Sequence, residues 1–265
     1  MGIVNVTPDS FSDGGRYLET HAAVDHCLRL ADDGADILDV GGESTRPGAP
    51  EVPAAEERRR VVPVIEAVAA RLDVPVSVDT SKAEVARAAI EAGAAMINDI
   101  TAGHDPGMLE LAAERGVPVV LMHMQGSPRT MQHDPRYEDV VAEIAGFLGA
   151  RLEAAVAAGV PAERVILDPG IGFGKSVEHN FEIIGRLPEL AALGRPLLLG
   201  PSRKSFIGKT LAIEAGERFI GTAAAVAACV LGGSHIVRVH DVAAMRQVCD
   251  ILDAVRAAAP GGEDV

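Results

Sequence analysis

Polar and ionisable residues occur where short apolar runs end along this chain. The runs consist mostly of Val, Ile and Leu, and the residues that close them donate or accept hydrogen bonds or carry charge. Such residues, brought together, are suited to holding a polar ligand. In chain order they are Asn5, Glu43, Asp79, Asn98, Asp99, His123, Asp168, Arg238 and His240, and Ser202, Arg203 and Lys204 directly follow the run that ends at Gly200.

The apolar runs alternate with amphipathic stretches of helical period, so they predict an α/β protein with a parallel sheet. Eight runs favour a (β/α)8 TIM barrel in a single domain, residues 1–265, with a frayed tail at residues 259–265. Because the active site of such a barrel lies at the C-terminal ends of its strands, the polar residues should share one mouth. The predicted strands lie within residues 2–5, 36–43, 75–79, 95–99, 118–123, 164–168, 196–200 and 235–240.

The composition argues against a nucleic acid or an anionic membrane as a partner. The formal net charge is −14 over 265 residues, and no basic stripe is present that could release counterions from a polyanion. Any anionic substrate must therefore be held by a few local cations. No basic region precedes an apolar one at the N-terminus, so we expect no signal peptide and a cytoplasmic protein. The first predicted strand begins at Gly2, which leaves open whether residues precede Met1.

Three further features have structural interpretations. The cysteines Cys27, Cys229 and Cys249 lie in apolar helical stretches without paired spacing, which predicts small buried side chains. Residues 219–231 form the longest apolar stretch, which is too short to span a bilayer and predicts a buried helix. The charge run EERRR, residues 56–60, lies in a helical pattern and predicts a solvated face.

Seven motifs together resemble the dihydropteroate synthases, in the order in which they occur in that family. Two of the strings are highly specific, whereas INDI and VDT are shared by the wider class of pterin-binding barrels. The motifs are NVTPDSFSDGG (residues 5–15), GGESTRPG (41–48), SVDTSK (77–82), INDI (97–100), DPGIGFGK (168–175), PSRKSFIG (201–208) and RVHDV (238–242). Glycines flank the first two motifs, which predicts mobile lids that order over the substrates and exclude water.

The resemblance implies a reaction and a set of partners. Members of the family displace diphosphate from 6-hydroxymethyl-7,8-dihydropterin diphosphate with the amine of p-aminobenzoate, in folate biosynthesis. The resemblance further implies a (β/α)8 barrel, a homodimer, Mg²⁺ as the cofactor that accompanies the diphosphate, and sensitivity of the class to sulfonamides. The partners expected on this basis are the two small-molecule substrates and a second copy of the chain.

Residue roles follow from the same resemblance. The expected catalytic residues are Asp79, Asp168, Lys204 and Arg238, and Asn5 is the expected metal-contacting residue. The positions matched to the pterin diphosphate site are Thr45, Asp79, Asn98, Asp168, Lys204, Arg238 and His240. The positions matched to the p-aminobenzoate site and lid are Arg46, Pro47, Phe173, Lys175 and Ser202.

Simpler interpretations remain open for single residues and for the whole chain. Asp79 could cap the following helix, Asn5 could be a turn residue and Phe173 could be an ordinary core aromatic. The chain could also be a non-catalytic pterin-binding paralogue, which should have lost some of Asn5, Lys204, Arg238 or His240. A methyltetrahydrofolate-binding methyltransferase barrel would keep the carboxylates and the amide, but it has no need for NVTPDSFSDGG or ESTRPG.

Overall fold

The structure, a computed structural model, describes residues 1–7, 15–45 and 48–258. The predicted tail at residues 259–265, most of the first predicted lid, and Arg46 and Pro47 of the second lie outside the described residues. Within these ranges, eight short parallel strands alternate with helices. The strands are β1 (Gly2–Asn5), β2 (Leu38–Gly41), β3 (Val76–Asp79), β4 (Met96–Asp99), β5 (Val119–Met122), β6 (Val165–Asp168), β7 (Leu198–Leu199) and β8 (Ile236–Val237).

The strands close into a barrel. Strands β1 to β6 pair in sequential order in one parallel sheet, and β7 pairs with β8. Single parallel bridges, Leu167 with Leu197 and Gly2 with Val239, join the two sheets at both edges. The predicted (β/α)8 barrel is thereby confirmed. Strands β7 and β8 are shorter than the predicted runs because the ladder on their outer sides is reduced to these bridges.

Amphipathic helices surround the barrel, and local sequence signals fix several of their ends. Asp139 caps α5, accepting hydrogen bonds from the backbone amides of Val141 and Ala142 at 3.0 Å each. Gly116 ends α4 with a φ of 62°, a conformation that favours glycine. The helices are α1 (Gly15–Asp32), α2 (Ala54–Ala69), α3 (Ala83–Glu91), α4 (Met108–Arg115), α5 (Val140–Ala157), α6 (Val177–Gly185), α7 (Leu187–Ala191), α8 (Ser205–Leu211), α9 (Phe219–Leu231) and α10 (Val242–Ala258).

The inside of the barrel is layered. An apolar layer near the N-terminal ends of the strands consists of Met1, Ile37, Met96, Val120, Ile166, Leu198 and Ile236. Because side chains that face the barrel interior recur every second residue, the next inward layer falls two residues further along each strand. That step leads from Met96 to Asn98, from Ile166 to Asp168 and from Ile236 to Arg238. The strand period thus places the polar residues directly above an apolar floor.

The structure corrects the prediction that residues 219–231 form a buried helix. Helix α9 buries one face through residues such as Val226 and Cys229, but Ile220 is 74% exposed and Leu231 is 60% exposed. The sequence resembled that of a fully buried helix because the exposed face of α9 also carries apolar side chains. Among the described residues, no helix combines the length and the apolar character needed to cross a bilayer.

The structure also corrects the interpretation of the EERRR run as a solvated face. Arg58 and Arg59 are exposed on α2, but Glu57 is fully buried and Arg60 donates from Nη1 to the carbonyl of Gly42 at 2.9 Å. The run therefore has an inner face directed at the start of the second predicted lid. The cysteine prediction is confirmed for Cys27 and Cys229, which are buried, whereas Cys249 is half-buried.

Candidate active site

A cavity lies at the C-terminal ends of the strands, above the apolar floor. Six of the seven residues expected at the pterin diphosphate site line it together, although they come from six different segments of the chain, and His240 is the one that does not line it. Its lining residues are Thr45, Asp79, Asn98, Ile100, Met122, Asp168, Gly170, Ile171, Phe173, Gly200, Lys204 and Arg238. The mouth therefore combines carboxylates, an amide and two cations around an apolar wall, as a polar heterocycle requires.

Arg238, which lines this cavity, is held between two carboxylates. Its Nε donates to Oδ2 of Asp39 and its Nη2 donates to Oδ2 of Asp79, each at 2.6 Å. The same oxygen of Asp39 accepts a hydrogen bond from Nδ2 of Asn98 at 3.0 Å. Residues from β2, β3 and β4 and the residue after β8 are thus joined in one hydrogen-bonded network.

The capping alternative for Asp79 does not hold. The residue before α3 is Lys82, whose amide donates to Oγ1 of Thr80 at 3.2 Å, and the amide of Ala83 donates to Asp105 at 2.7 Å. The Asp79 side chain instead faces Arg238. Its carboxylate is therefore part of the cavity and not of the helix end.

Burial dominates the electrostatics of the two cavity carboxylates. It raises the pKa of Asp79 to about 7, against the opposing charge of Arg238 and with further repulsion from Asp39. Burial also raises the pKa of Asp168 to about 6, although the Gly170 amide donates to its Oδ1 at 2.7 Å. Both groups therefore exchange protons close to neutral pH. A ligand with positive character would favour their ionised forms.

Lys204 completes the cationic side of the cavity. Burial and the nearby charge of Arg238 lower the pKa of Lys204 to about 8. Its Nζ lies 4.0 Å from the centroid of the Phe173 ring, within the range of a cation–π interaction. Phe173 is thus a wall of the site and not a core aromatic, because its ring packs against a cavity lysine.

Lys175 has neighbours other than those the sequence suggested. It is 3% exposed and is not among the residues that line the cavity. Its Nζ donates to the Phe173 carbonyl at 2.8 Å and contacts Nδ1 of His123 at 3.0 Å. Burial lowers the pKa of Lys175 to about 7 and the pKa of His123 to about 3, so His123 is neutral and can accept this hydrogen bond. Lys175 therefore supports the backbone beneath Phe173.

Ser202 likewise supports another residue. Its Oγ accepts a hydrogen bond from the His240 amide at 3.2 Å and lies 2.9 Å from Nδ1 of the same histidine. Burial, together with the charges of Arg203 and Arg238, lowers the pKa of His240 to about 4. Because the imidazole is neutral and Ser202 already accepts one hydrogen bond, its hydroxyl can donate to Nδ1 and leave the proton on Nε2. Ser202 and His240 thus act as a unit.

Asn5 ends β1 and is half-buried beside Gly41, its partner in the β1–β2 register. The described residues contain no group of three or more His, Cys, Asp and Glu side chains that could hold a metal ion. A single neutral side-chain oxygen at a strand end nevertheless suits Mg²⁺, which takes most of its ligands from water and phosphate. The available side chains therefore fit a metal ion that is bound mainly by the phosphates of its substrate, and not one that is bound mainly by protein side chains.

Glu43, a polar residue of the predicted mouth, belongs with Lys82 to a second network beside the cavity. Lys82 donates from Nζ to Oε2 of Glu57 at 2.6 Å and also to Oε2 of Glu43. Glu43 accepts a further hydrogen bond from the amide of Val52 at 3.0 Å through Oε1. Lys82, which directly precedes α3, thereby connects Glu57 of α2 to Glu43 in the loop that carries Thr45.

Sequence reasoning missed several residues of the site. The most informative is Asp39, which is fully buried in the middle of β2. The available signal was its charge within an apolar run, DILDV, that was expected to be buried on both faces. The apolar wall residues Ile100, Met122 and Ile171 were missed as well, because nothing distinguishes such residues from core residues in a sequence.

Comparisons with known proteins agree with this geometry. The model of the family of pterin binding enzymes matches residues 1–240, so the chain belongs to that family. Within it, the chain belongs to the dihydropteroate synthases. It is 49% identical over 257 residues to the dihydropteroate synthase of a Synechocystis species, covering 96% of this chain and 89% of the relative.

Solved structures give the same result. The dihydropteroate synthase of Yersinia pestis in a sulfonamide drug complex superposes with a TM-score of 0.93 at 49% identity, covering 97% of this chain and 94% of the other. The enzyme of Xanthomonas albilineans with 4-aminobenzoic acid gives a TM-score of 0.92 at 52% identity, covering 98% and 93%. Fold and family therefore agree with the expectation from the seven motifs.

Proposed function

We propose that the cavity binds 6-hydroxymethyl-7,8-dihydropterin diphosphate and transfers its pterin-methyl group to the amine of p-aminobenzoate, releasing diphosphate. The reaction is the transferase step that makes dihydropteroate in folate biosynthesis. The observation that carries this proposal is the cavity itself, which Asp79, Asn98 and Asp168 line together with Lys204, Arg238 and one apolar wall. The alternative of a methyltetrahydrofolate-binding barrel is disfavoured by the family membership.

The carboxylates stabilise positive charge on the pterin. Departure of diphosphate leaves a cation delocalised from the methylene carbon into the ring, and Asp79 and Asp168 lie where they can stabilise it electrostatically. Asn98 reads the donor and acceptor edge of the ring. No strong general base is required, because an aromatic amine attacks as the neutral species. Water is the competing nucleophile, so exclusion of water by the loops is part of the mechanism.

The cations and a neutral histidine serve the leaving group. Arg238, whose Nε and Nη2 are occupied by carboxylates, presents its remaining N–H groups to the diphosphate. His240 donates from Nε2, because Ser202 holds its other ring nitrogen. Asn5 would hold Mg²⁺ through its side-chain oxygen, and the bound ion would supply charge neutralisation on the diphosphate.

The p-aminobenzoate ring packs against Phe173 in this proposal, close to Lys204. Lys175 contributes indirectly by holding the Phe173 carbonyl, and Ser202 contributes through His240. Arg46 and Pro47, which the family resemblance matches to the same subsite, lie outside the described residues. Since sulfonamides imitate p-aminobenzoate, and the Yersinia pestis enzyme is known in a sulfonamide drug complex, we expect sulfonamides to compete for this subsite.

Diphosphate release tests the proposal directly. Purified protein is incubated with Mg²⁺ and dihydropterin diphosphate, with and without p-aminobenzoate. Release that depends on p-aminobenzoate, with dihydropteroate as product and competitive inhibition by a sulfonamide, is the expected result. Pterin binding by calorimetry without turnover would point to a binding paralogue. Removal of Mg²⁺ with a chelator should lower turnover, and Asn5→Ala should raise the Mg²⁺ concentration required.

A homodimer is also part of the proposal, supported by apolar side chains left exposed on two neighbouring helices. Ile220 of α9 is 74% exposed, and Ile251 of α10 is 67% exposed. Phe219, Leu231 and Val255 extend the same helices with further exposed apolar surface. A second copy of the chain would cover these faces. We place the enzyme in the cytoplasm on the basis of its expected biosynthetic role.

A further inference from the structure

Asp39 lies two residues after Ile37 of the apolar floor, beside Asn98 and Arg238, but it does not line the space available to a ligand. It pairs with Ser77 in the β2–β3 register, and the next inward pair toward the mouth is Gly41 with Asp79. Asp39 and Ser77 are both fully buried. Each also retains a polar atom, Oδ1 of Asp39 and Oγ of Ser77, without a hydrogen-bond partner in the described part of the chain.

A buried carboxylate is costly to keep in a barrel interior unless charged or polar groups compensate it. Asp39 is compensated through a single oxygen, Oδ2, which accepts from Nε of Arg238 at 2.6 Å and from Nδ2 of Asn98 at 3.0 Å. Both donors belong to residues that line the cavity. No other described side chain is bonded to these two cavity residues at once.

The geometry at Arg238 depends on this contact. Asp79 alone would hold Nη2, and the guanidinium could then rotate about that contact. A second hydrogen bond at Nε, from a different strand, fixes the plane of the guanidinium. Asn98, which also lines the cavity, is oriented by the hydrogen bond that its Nδ2 donates to Asp39.

We propose that Asp39 is a positioning residue, which orients Arg238 and Asn98 for the dihydropterin diphosphate without touching it. The inference rests on the proposed function of the cavity. It predicts that Asp39 acts on substrate affinity and on turnover through two named neighbours. A purely structural role would affect the folded fraction of the protein and leave these parameters unchanged.

The test compares Asp39→Asn and Asp39→Ala with a matched control, Ser77→Ala. The control removes a buried polar atom from the position paired with Asp39, but Ser77 donates no hydrogen bond to Arg238 or Asn98 and accepts none from them. Thermal unfolding and circular dichroism establish that each variant is folded. The affinity of 6-hydroxymethylpterin, with and without inorganic diphosphate, is measured by calorimetry, and kcat and KM are measured for both substrates.

We expect the Asp39 variants to weaken pterin binding and to lower kcat/KM for the dihydropterin diphosphate by about tenfold or more, because hydrogen bonds to charged groups are lost. Ser77→Ala should stay within about twofold, as is usual for changes away from the site. Asp39→Asn keeps the shape of the side chain and one acceptor, so it should be milder than Asp39→Ala. It also preserves the test if the alanine variant does not fold.

A double-mutant cycle with Arg238→Ala identifies the route of the effect. If Asp39 acts through Arg238, the second substitution adds less than it does alone. Additive effects, or an Asp39→Asn protein that binds the pterin as the wild type does, would overturn the inference. Failure of the proposed function is seen separately, because it appears in the wild-type protein as absence of dihydropteroate formation. The calorimetric comparison of 6-hydroxymethylpterin does not depend on turnover.

Discussion

Arg238 and Asp79 are 159 positions apart in the sequence, yet Nη2 of the arginine and Oδ2 of the aspartate are 2.6 Å apart in the folded protein. The contact joins the residue expected to serve the leaving group with a residue expected to serve the pterin. Charge in one half of the site is therefore balanced directly by charge in the other. Substitutions at either residue should disturb both halves.

Arg238→Ala should lower kcat/KM by about ten- to a hundredfold, because a charge-assisted contact worth roughly 1.5–3 kcal/mol is lost. Arg238→Lys should rescue little of this, since one ammonium cannot reproduce the planar fork that reaches Asp39 and Asp79 together. Steady-state kinetics with varied dihydropterin diphosphate provide the measurement. Arg115→Ala, on the exposed α4–α3 surface, is a matched control that should leave kcat/KM unchanged. Wild-type kinetics in Arg238→Ala would remove this residue from the mechanism.

The pH dependence of kcat/KM should show an acid limb. Burial raises the pKa of Asp79 to about 7 and that of Asp168 to about 6, and both must be ionised to stabilise a positive pterin. Activity should therefore fall as the pH is lowered through this range. Because both carboxylates interact with Arg238, the profile reports apparent values of the cluster. Asp168→Asn should remove one step, and a flat profile below neutral pH would contradict this assignment.

Lys82→Met should lower the free energy of unfolding, although Lys82 does not line the cavity. Glu57 is fully buried, and the substitution would leave its carboxylate without a cation, which typically costs about 3–5 kcal/mol. Denaturant unfolding measures this loss. Lys209→Met, at an exposed position of α8, should change the free energy of unfolding by less than about 0.5 kcal/mol. Adding Glu57→Gln to Lys82→Met should recover part of the lost stability, whereas further loss would speak against the buried charge as the cause.

Ile220→Glu and Ile251→Glu should convert a dimer into a monomer, because each places a charge in the apolar faces of α9 and α10. Light scattering after gel filtration should give twice the chain mass of 27.5 kDa for the wild type and the single mass for the variants. Val156→Glu changes an exposed apolar residue of α5 and should remain dimeric. A wild-type protein that is monomeric at micromolar concentration would exclude the proposed dimer.

Sequence patterns were sufficient for the barrel and for most of its polar mouth. The period-two step from an apolar layer to Asn98, Asp168 and Arg238 follows directly from strand geometry. The sequence did not reveal Asp39, because a single acid inside a run such as DILDV has no visible partner until the barrel closes and brings the Arg238 side chain to it. The burial of Glu57 was missed for a similar reason, because a run of charged residues on a helix does not indicate which of them faces the protein interior.

Side-chain direction after a strand end was the other feature beyond reach of the sequence. The motif placed Lys175 in the site, but the direction of its side chain depends on His123, which is 52 positions away. Ser202 similarly depends on His240, 38 positions away. Such support contacts arise only when two loops meet in the folded barrel. Local pattern fixes where a residue lies along a strand or loop, and tertiary contact decides what it touches.

The six-stranded and two-stranded sheets of the barrel meet at two junctions, here called seams, and the charges of the site are divided between the two sheets. Lys204 and Arg238 follow the two-stranded piece, β7 and β8, whereas Asp79 and Asp168 end strands of the six-stranded piece. Each seam between the pieces carries one backbone bridge. The ion pairs from Arg238 to Asp39 and Asp79 therefore link the two sheets through side chains, where the backbone pairing between the sheets is reduced to single bridges. A substrate that binds to residues of both sheets would add a further link between them, so substrate binding should stabilise the closed barrel.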